Sequence, residues 1–257
     1  MRWIILLLVL GVGAILAGCG RRKEVVPPSI MPEQRHAQDV TLPGGNVVAS
    51  GYLLYLPATY AQTDAAWPLL MFLHGSGESG ADLDRVTTQG LPRRLREIEL
   101  PCVIVAPQCP REDDWTFPGQ QQRLSNLIET MATRYRIDRQ RIYLTGISMG
   151  GYAVWDLAIT HPHRFAAIVP ICGRGQPGAA ERISHLPAWV FHGVKDELIS
   201  VDVSRQMVEA LRASGSTVRF TEYPEGGHDV WTETYQNPAL FEWLFEQRLP
   251  DAALPQP

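Results

Sequence analysis

The sequence predicts an α/β fold, a mainly parallel sheet with helices on both faces. Three observations predict it: short apolar runs alternate with longer segments that are apolar at helical spacing, the central runs are continuously apolar, and glycine-rich turns follow several of them. A strand buried on both faces needs apolar side chains on both, whereas a half-exposed strand would alternate. In chain order, a first strand is expected near 47–56. Pro68-Leu69-Leu70-Met71-Phe72-Leu73 gives the second, near 68–73, and Cys102-Val103-Ile104-Val105-Ala106 the third, near 102–106. A helix near 121–135 leads to a strand near 141–145, Arg141-Ile142-Tyr143-Leu144-Thr145, and the small and apolar residues after it make a helix near 149–160. Strands near 166–170 and 187–192, a helix near 201–213, an alternating strand near 217–223 and a helix near 238–246 complete the series.

Gly146-Ile147-Ser148-Met149-Gly150 is the most informative stretch. A strand that reverses at once into a helix forces its turn serine into a strained backbone, and flanking glycines remove the side chains that would clash there. A serine hydroxyl is a weak nucleophile until a histidine takes its proton and a carboxylate orients that histidine. Asp196, at the exit of the strand Leu186–Gly193, is the candidate acid, with Glu197 and Asp202 as competitors. His228, in the Gly226-Gly227-His228 turn after the last strand, is the candidate base. For the oxyanion, the backbone N–H of Met149 supplies one donor. Ser76, in the loop His74-Gly75-Ser76-Gly77-Glu78-Ser79-Gly80, supplies the other, with Gly77 as its alternative.

That loop also spells the dinucleotide fingerprint G-x-G-x-x-G, but no acidic residue ends the following strand as such a site requires, so no cofactor is expected. No cysteine and histidine spacing suggests a metal. His161 and His163 end a helix, where cations favour the dipole, and are read as structural. His74 and His192 are expected to brace loops by hydrogen bonding. A strand over 102–106 keeps Cys102 and Cys109 roughly 20 Å apart, too far for a disulfide; Cys109 and Cys172 both follow strand ends, and free thiols are expected.

The order Ser148, Asp196, His228 resembles that of the α/β-hydrolase superfamily, and the motifs extend the likeness: His74–Glu78, Ala106-Pro107-Gln108, Gly146–Gly151, His161–Phe165, Phe191-His192-Gly193 and Gly227-His228. Within it the chain is similar to bacterial esterases and predicted peptidases near the dienelactone hydrolase, feruloyl esterase and polyhydroxybutyrate depolymerase groups. A dienelactone hydrolase would carry a cysteine where this chain has Ser148. The resemblance implies an α/β-hydrolase fold without a large cap domain and cleavage of carboxylic esters through an acyl-serine. A peptidase of the prolyl oligopeptidase type uses the same machinery and is the alternative; a lipid-anchored binding protein on a hydrolase scaffold that has lost catalysis is the alternative of another class. The substrate is expected to be a small ester or the end of a polymer, contacted by Trp115, Gln176 and Trp231, with Phe117 nearby.

Met1-Arg2-Trp3 precedes an unbroken apolar run, Ile4 to Ala17. At 1.5 Å per residue it covers about 21 Å of a hydrocarbon core about 30 Å thick, so it fits a signal peptide over 1–18 better than a spanning helix. It ends in Leu16-Ala17-Gly18-Cys19, which resembles the lipobox of bacterial lipoproteins and implies lipidation of Cys19, export and anchorage to an envelope membrane, the outer one where there are two. Residues 19–39 read as a tether, 40–249 as one hydrolase domain and 250–257 as a frayed tail. The formal charge of −4 becomes −5 once Arg2 is removed, and no nucleic-acid partner is implied.

Overall fold

The computed structural model describes residues 31–41, 45 and 47–250. The expected signal peptide, Cys19, the first part of the tether and the tail beyond Pro250 lie outside the described residues. The main sheet is built from β1 (Glu33–Ala37), β4 (Gly51–Tyr55), β5 (Trp67–Leu73), β6 (Val103–Pro107), β7 (Ile137–Ile147), β8 (Ala167–Ile171), β9 (Trp189–Gly193) and β10 (Arg219–Tyr223). A two-residue ribbon, β2 (Val40–Thr41) with β3 (Val47–Val48), sits apart. The spatial order is β1-β4-β6-β5-β7-β8-β9-β10, with β4 antiparallel to both its neighbours, β1 and β6, and the remaining pairs parallel. This is the α/β-hydrolase arrangement expected.

Side-chain alternation explains how the sheet takes helices on both faces. In β5, Leu69, Met71 and Leu73 enter one core while Leu70 and Phe72 enter the other; in β6, Val103 and Val105 part in the same way from Ile104 and Ala106. The first core is closed by α2 (Pro118–Arg134), α3 (Met149–Thr160) and α4 (Asp202–Ala213), through Leu124, Leu127, Ile128, Val154, Trp155, Met207 and Leu211. The second is closed by α1 (Gly90–Arg94), α5 (Trp231–Gln236) and α6 (Pro238–Glu246), through Leu91, Tyr235, Leu240, Trp243 and Leu244. α2 starts on Pro118, whose fixed φ and missing N–H suit a first helical turn.

Part of the segment expected to be a tether, 19–39, belongs to the sheet instead. Residues 33–37 form the edge strand β1, paired with β4 from Glu33 against Tyr55 to Ala37 against Gly51, and Met31 is buried in the second core. The ladder is held by backbone bonds, and its side chains alternate between exposed and half-buried, so no apolar period marks it. The expected strand near 47–56 divides into β3 and β4, and α1 and α5 were not foreseen.

Candidate active site

β7 ends at Ile147, and Ser148 turns the chain into α3 with φ 52° and ψ −117°, one of two described non-glycine residues with positive φ. Such strain persists only where the surroundings over-determine it. Here they do: a Cβ on Gly146 would strike the carbonyl of Gly150, and one on Gly150 would strike that of Leu73. The Ser148 N–H is itself tied to the carbonyl of Ile171 at 2.9 Å. The elbow is wedged between β5, β7 and β8, and only the hydroxyl has room to emerge.

The three residues expected to act together meet. His228 Nε2 lies 3.0 Å from Ser148 Oγ, and Nδ1 lies 2.7 Å from Asp196 Oδ2. A carboxylate only accepts, so the Nδ1–H donates to Asp196, and Nε2 is left to accept the serine proton. The loops bearing acid and base are joined by backbone bonds, Val194 N–H to Tyr223 O at 2.9 Å and Lys195 N–H to Gly226 O at 2.8 Å. Glu197 and Asp202, the competing acids, take no part in this chain of bonds; Asp202 pairs with Arg205 instead.

Asp196 is 7 % exposed, yet its acidity is strengthened rather than weakened. Burial, the largest single influence, pushes its pKa up; the His228 bond and the N–H groups of Ile199 and Leu198, both 2.9 Å from Oδ1, together outweigh it. The carboxylate therefore stays ionised. His192 adds a further donor: Nε2 is 2.9 Å from the Ile199 carbonyl, which only accepts, so this nitrogen carries a proton, and it lies 3.2 Å from Asp196 Oδ2. Its Nδ1 accepts from Ser204 Oγ at 2.7 Å, and burial holds the ring's pKa down, keeping it neutral. Cys172, with φ 49°, donates its thiol to the His228 carbonyl at 3.3 Å; burial pushes that thiol up to about 12. Cys172, His192 and Asp196 place one ligand atom each within 4.8 Å of one another, the spacing of a metal site. Each of these atoms is already engaged in the bonds that position the base.

Ser76 and Met149 each open a helical turn, so neither N–H has a carbonyl within its own helix to accept it. A Cβ placed on Gly75 would lie 3.5 Å from Ser148 Cβ, which shows how closely the loop passes over the nucleophile. His74 braces that loop as expected: it is fully buried, Nε2 accepts from the Cys109 N–H at 3.0 Å, and Nδ1 donates to the Gly75 carbonyl at 2.6 Å. Burial lowers its pKa to about 4, so it stays neutral. Glu78, assigned no role from sequence, is 9 % exposed; its Oε2 would be 3.3 Å from a Cβ on Gly75. Burial raises its pKa over the opposing backbone donors and Arg85. Cys102, Cys109 and Cys172 are free thiols.

The expected substrate contacts divide. Trp115 is fully buried and donates Nε1–H to the His74 carbonyl at 3.1 Å; it pins one active-site loop to another and has no face left for substrate. Trp231 is 9 % exposed and stands edge-on to His228, ring centroids 5.2 Å apart, so it backs the imidazole rather than lining an opening. Gln176 is exposed and lines a polar cleft of about 490 Å³, with Asp114, Thr116, Tyr152, Asp156 and Arg174. Sequence reading missed these partners; the available signal was Asp156, the one charged residue of α3.

A model of the phospholipase/carboxylesterase family matches residues 100–241, more than half of the chain. A bifunctional acetylxylan esterase/xylanase of Neocallimastix patriciarum is 27% identical over 149 residues, covering 57% of this chain and 21% of that protein. A poly(3-hydroxyoctanoate) depolymerase of Pseudomonas fluorescens is 28% identical over 153 residues, covering 49% of this chain and 53% of that protein. The chain thus spans about half or less of the length of these curated relatives. Among solved structures, a thermostable esterase superposes with a TM-score of 0.71 at 34% identity, over 83% of this chain and 63% of that one.

Proposed function

Since the chain belongs to the phospholipase/carboxylesterase family of α/β-hydrolases, we propose that it hydrolyses carboxylic esters through an acyl-enzyme on Ser148. The observation that carries this reading is the continuous bonding from Ser148 Oγ to His228 to Asp196. Ser148 Oγ attacks the ester carbonyl as His228 Nε2 takes its proton, and the carbonyl oxygen, now charged, is held by the N–H groups of Ser76 and Met149. Collapse expels the alcohol, which takes the proton back from His228. Water, deprotonated by the same imidazole, then releases the acid and restores the serine. Asp196 keeps the tautomer and stabilises the imidazolium in both steps. The acetylxylan esterase/xylanase and the two poly(3-hydroxyalkanoate)-type depolymerases among the relatives support an ester, small or at a polymer end, as the substrate.

The test is labelling of the full-length protein by a fluorophosphonate together with turnover of p-nitrophenyl acetate and of a matched p-nitroanilide. Labelling and ester turnover that both vanish in Ser148→Ala are expected. An unlabelled wild type favours a binding protein, and faster anilide than ester cleavage favours a peptidase.

For location, we propose export and lipid anchorage through Cys19, on the strength of the apolar run Ile4–Ala17 and its Leu16-Ala17-Gly18-Cys19 ending. Incorporation of a radiolabelled fatty acid in bacterial cells, lost in Cys19→Ser, is the expected result; equal labelling of both forms refutes it.

A further inference from the structure

The polar cleft that Gln176 lines contains no triad residue, but Tyr152 brings it within one turn of α3 of the nucleophile. The Tyr152 N–H donates to the Ser148 carbonyl at 3.1 Å, so Tyr152 stands one turn along α3 from the nucleophile and Asp156 two turns, about 12 Å away. Asp114 and Thr116 flank Trp115, which is bonded to the oxyanion loop through His74. Arg174 and Gln176 follow Cys172 at the exit of β8, beside His228. Three connections thus close on one volume of about 490 Å³, whose nearest lining residue along α3 is Tyr152, one turn from Ser148.

Its chemistry is mixed in a particular way. Asp156 is the sole charge in a helix otherwise made of Met, Gly, Tyr, Ala, Val, Trp, Leu, Ile and Thr, and it is half-buried rather than set on an open face. Among the described residues its carboxylate engages only Oδ1, with the Gln176 amide at 2.7 Å. Asp114 likewise engages only Oδ1, with the N–H and hydroxyl of Thr116 at 2.8 and 2.7 Å. Arg174 lies over the Tyr152 ring, 5.6 Å from its centroid. Acceptors (two carboxylates) therefore alternate with donors (guanidinium, amide, phenol). An anionic ligand meets both carboxylates, and a cationic one meets Arg174. An apolar ligand would strip water from all of them without replacing its bonds. Hydroxyl groups, each both donor and acceptor, satisfy both kinds of partner at once, and the Tyr152 ring offers an apolar body beside them.

We propose that this cleft is a subsite for the alcohol portion of the ester and that it takes a neutral polyhydroxylated group, a sugar. The proposal rests on the ester-hydrolase reading and adds the leaving group to it. Asp156 and Arg174 are its specificity-determining residues, and Gln176 positions the Asp156 carboxylate.

Two acetyl esters separate the alcohol from the acyl group, since a monoacetylated methyl xylopyranoside and p-nitrophenyl acetate give the same acetyl-enzyme. With the full-length protein, the ratio of kcat/KM for the sugar ester to that for p-nitrophenyl acetate is expected to fall about tenfold in Asp156→Leu and in Arg174→Ala, carried by KM, and less in Asp156→Asn, which keeps the shape and one acceptor. A ratio unmoved in all three, whether the two activities fall together or neither falls, overturns the subsite and leaves the esterase standing. A wild type that turns over neither ester overturns the hydrolase reading, and the subsite with it.

Discussion

The carboxyl edge of the sheet has two halves that are built differently. At the exits of β8, β9 and β10, every polar atom around the base is spoken for: Asp196 receives His228, His192 and two backbone N–H groups, Cys172 donates to the His228 carbonyl, and Ser204 closes the set through His192. Along α3 and the loops after β6 and β8, Asp114 and Asp156 each engage one oxygen, and Arg174 rests on a ring. The first half is pre-organised, as groups that stabilise a fleeting charge must be. The second leaves its hydrogen-bonding capacity for something that arrives. Catalysis and recognition thus divide one rim between a saturated network and an unsaturated one.

The sharpest way to break this contrast is at its centre. Asp196→Asn keeps the shape of the side chain, but its amide can donate, so the His228 ring loses its reason to carry the proton on Nδ1 and presents a donor to Ser148 instead of an acceptor. A fall in kcat of about 10³–10⁴-fold at neutral pH is expected, with the thermal midpoint little changed. Steady-state kinetics beside a melting curve checks it, and a loss below tenfold would mean that another carboxylate, Glu197 or Asp202, orients the base.

One bond further out, His192→Phe keeps a ring in the buried slot and deletes its N–H to Asp196 and Ile199. The Asp196 carboxylate then has one fewer donor against the same burial, which raises its pKa. The expected loss in kcat is about 10–100-fold, of the size seen when outer-shell partners are removed. Steady-state kinetics at neutral pH check it, and an unchanged kcat would show that His192 only fills space.

How much of this was legible beforehand follows from the same division. Ser148 and Asp196 each sit just past a continuously apolar strand and His228 follows an alternating one, and the glycines around them record close backbone approaches, so strand exits and glycines pointed to all three. Trp115 and Trp231 were misplaced because an indole near a site reads the same from sequence whether it faces substrate or braces a loop; burial and the Nε1 bonds decide it. The cleft was invisible for another reason. Asp114, Asp156 and Arg174 belong to three separate connections, and nothing short of the fold brings them together. The edge strand β1 escaped because backbone bonds, not apolar side chains, hold it to β4.

Glu78 carries the smallest expected effect, as a buried carboxyl beside Gly75 in the oxyanion loop. Burial raises its pKa from the ordinary value, so the folded state holds its proton more tightly than the unfolded chain does. Its contribution is therefore most favourable below the unfolded pKa of about 4.3 and is lost as pH rises through the folded value; at neutral pH an ionised Glu78 costs stability. Glu78→Gln replaces the carboxylate with a neutral group of the same size. Its melting temperature is expected to exceed that of wild type at pH 7, and the two curves are expected to converge as pH falls below 4.3 and wild type takes up its proton. A gap that widens on acidification instead would mean that the Gly75 N–H and Arg85 hold Glu78 as a favourable anion, and that this corner of the oxyanion loop is as fully satisfied as the triad.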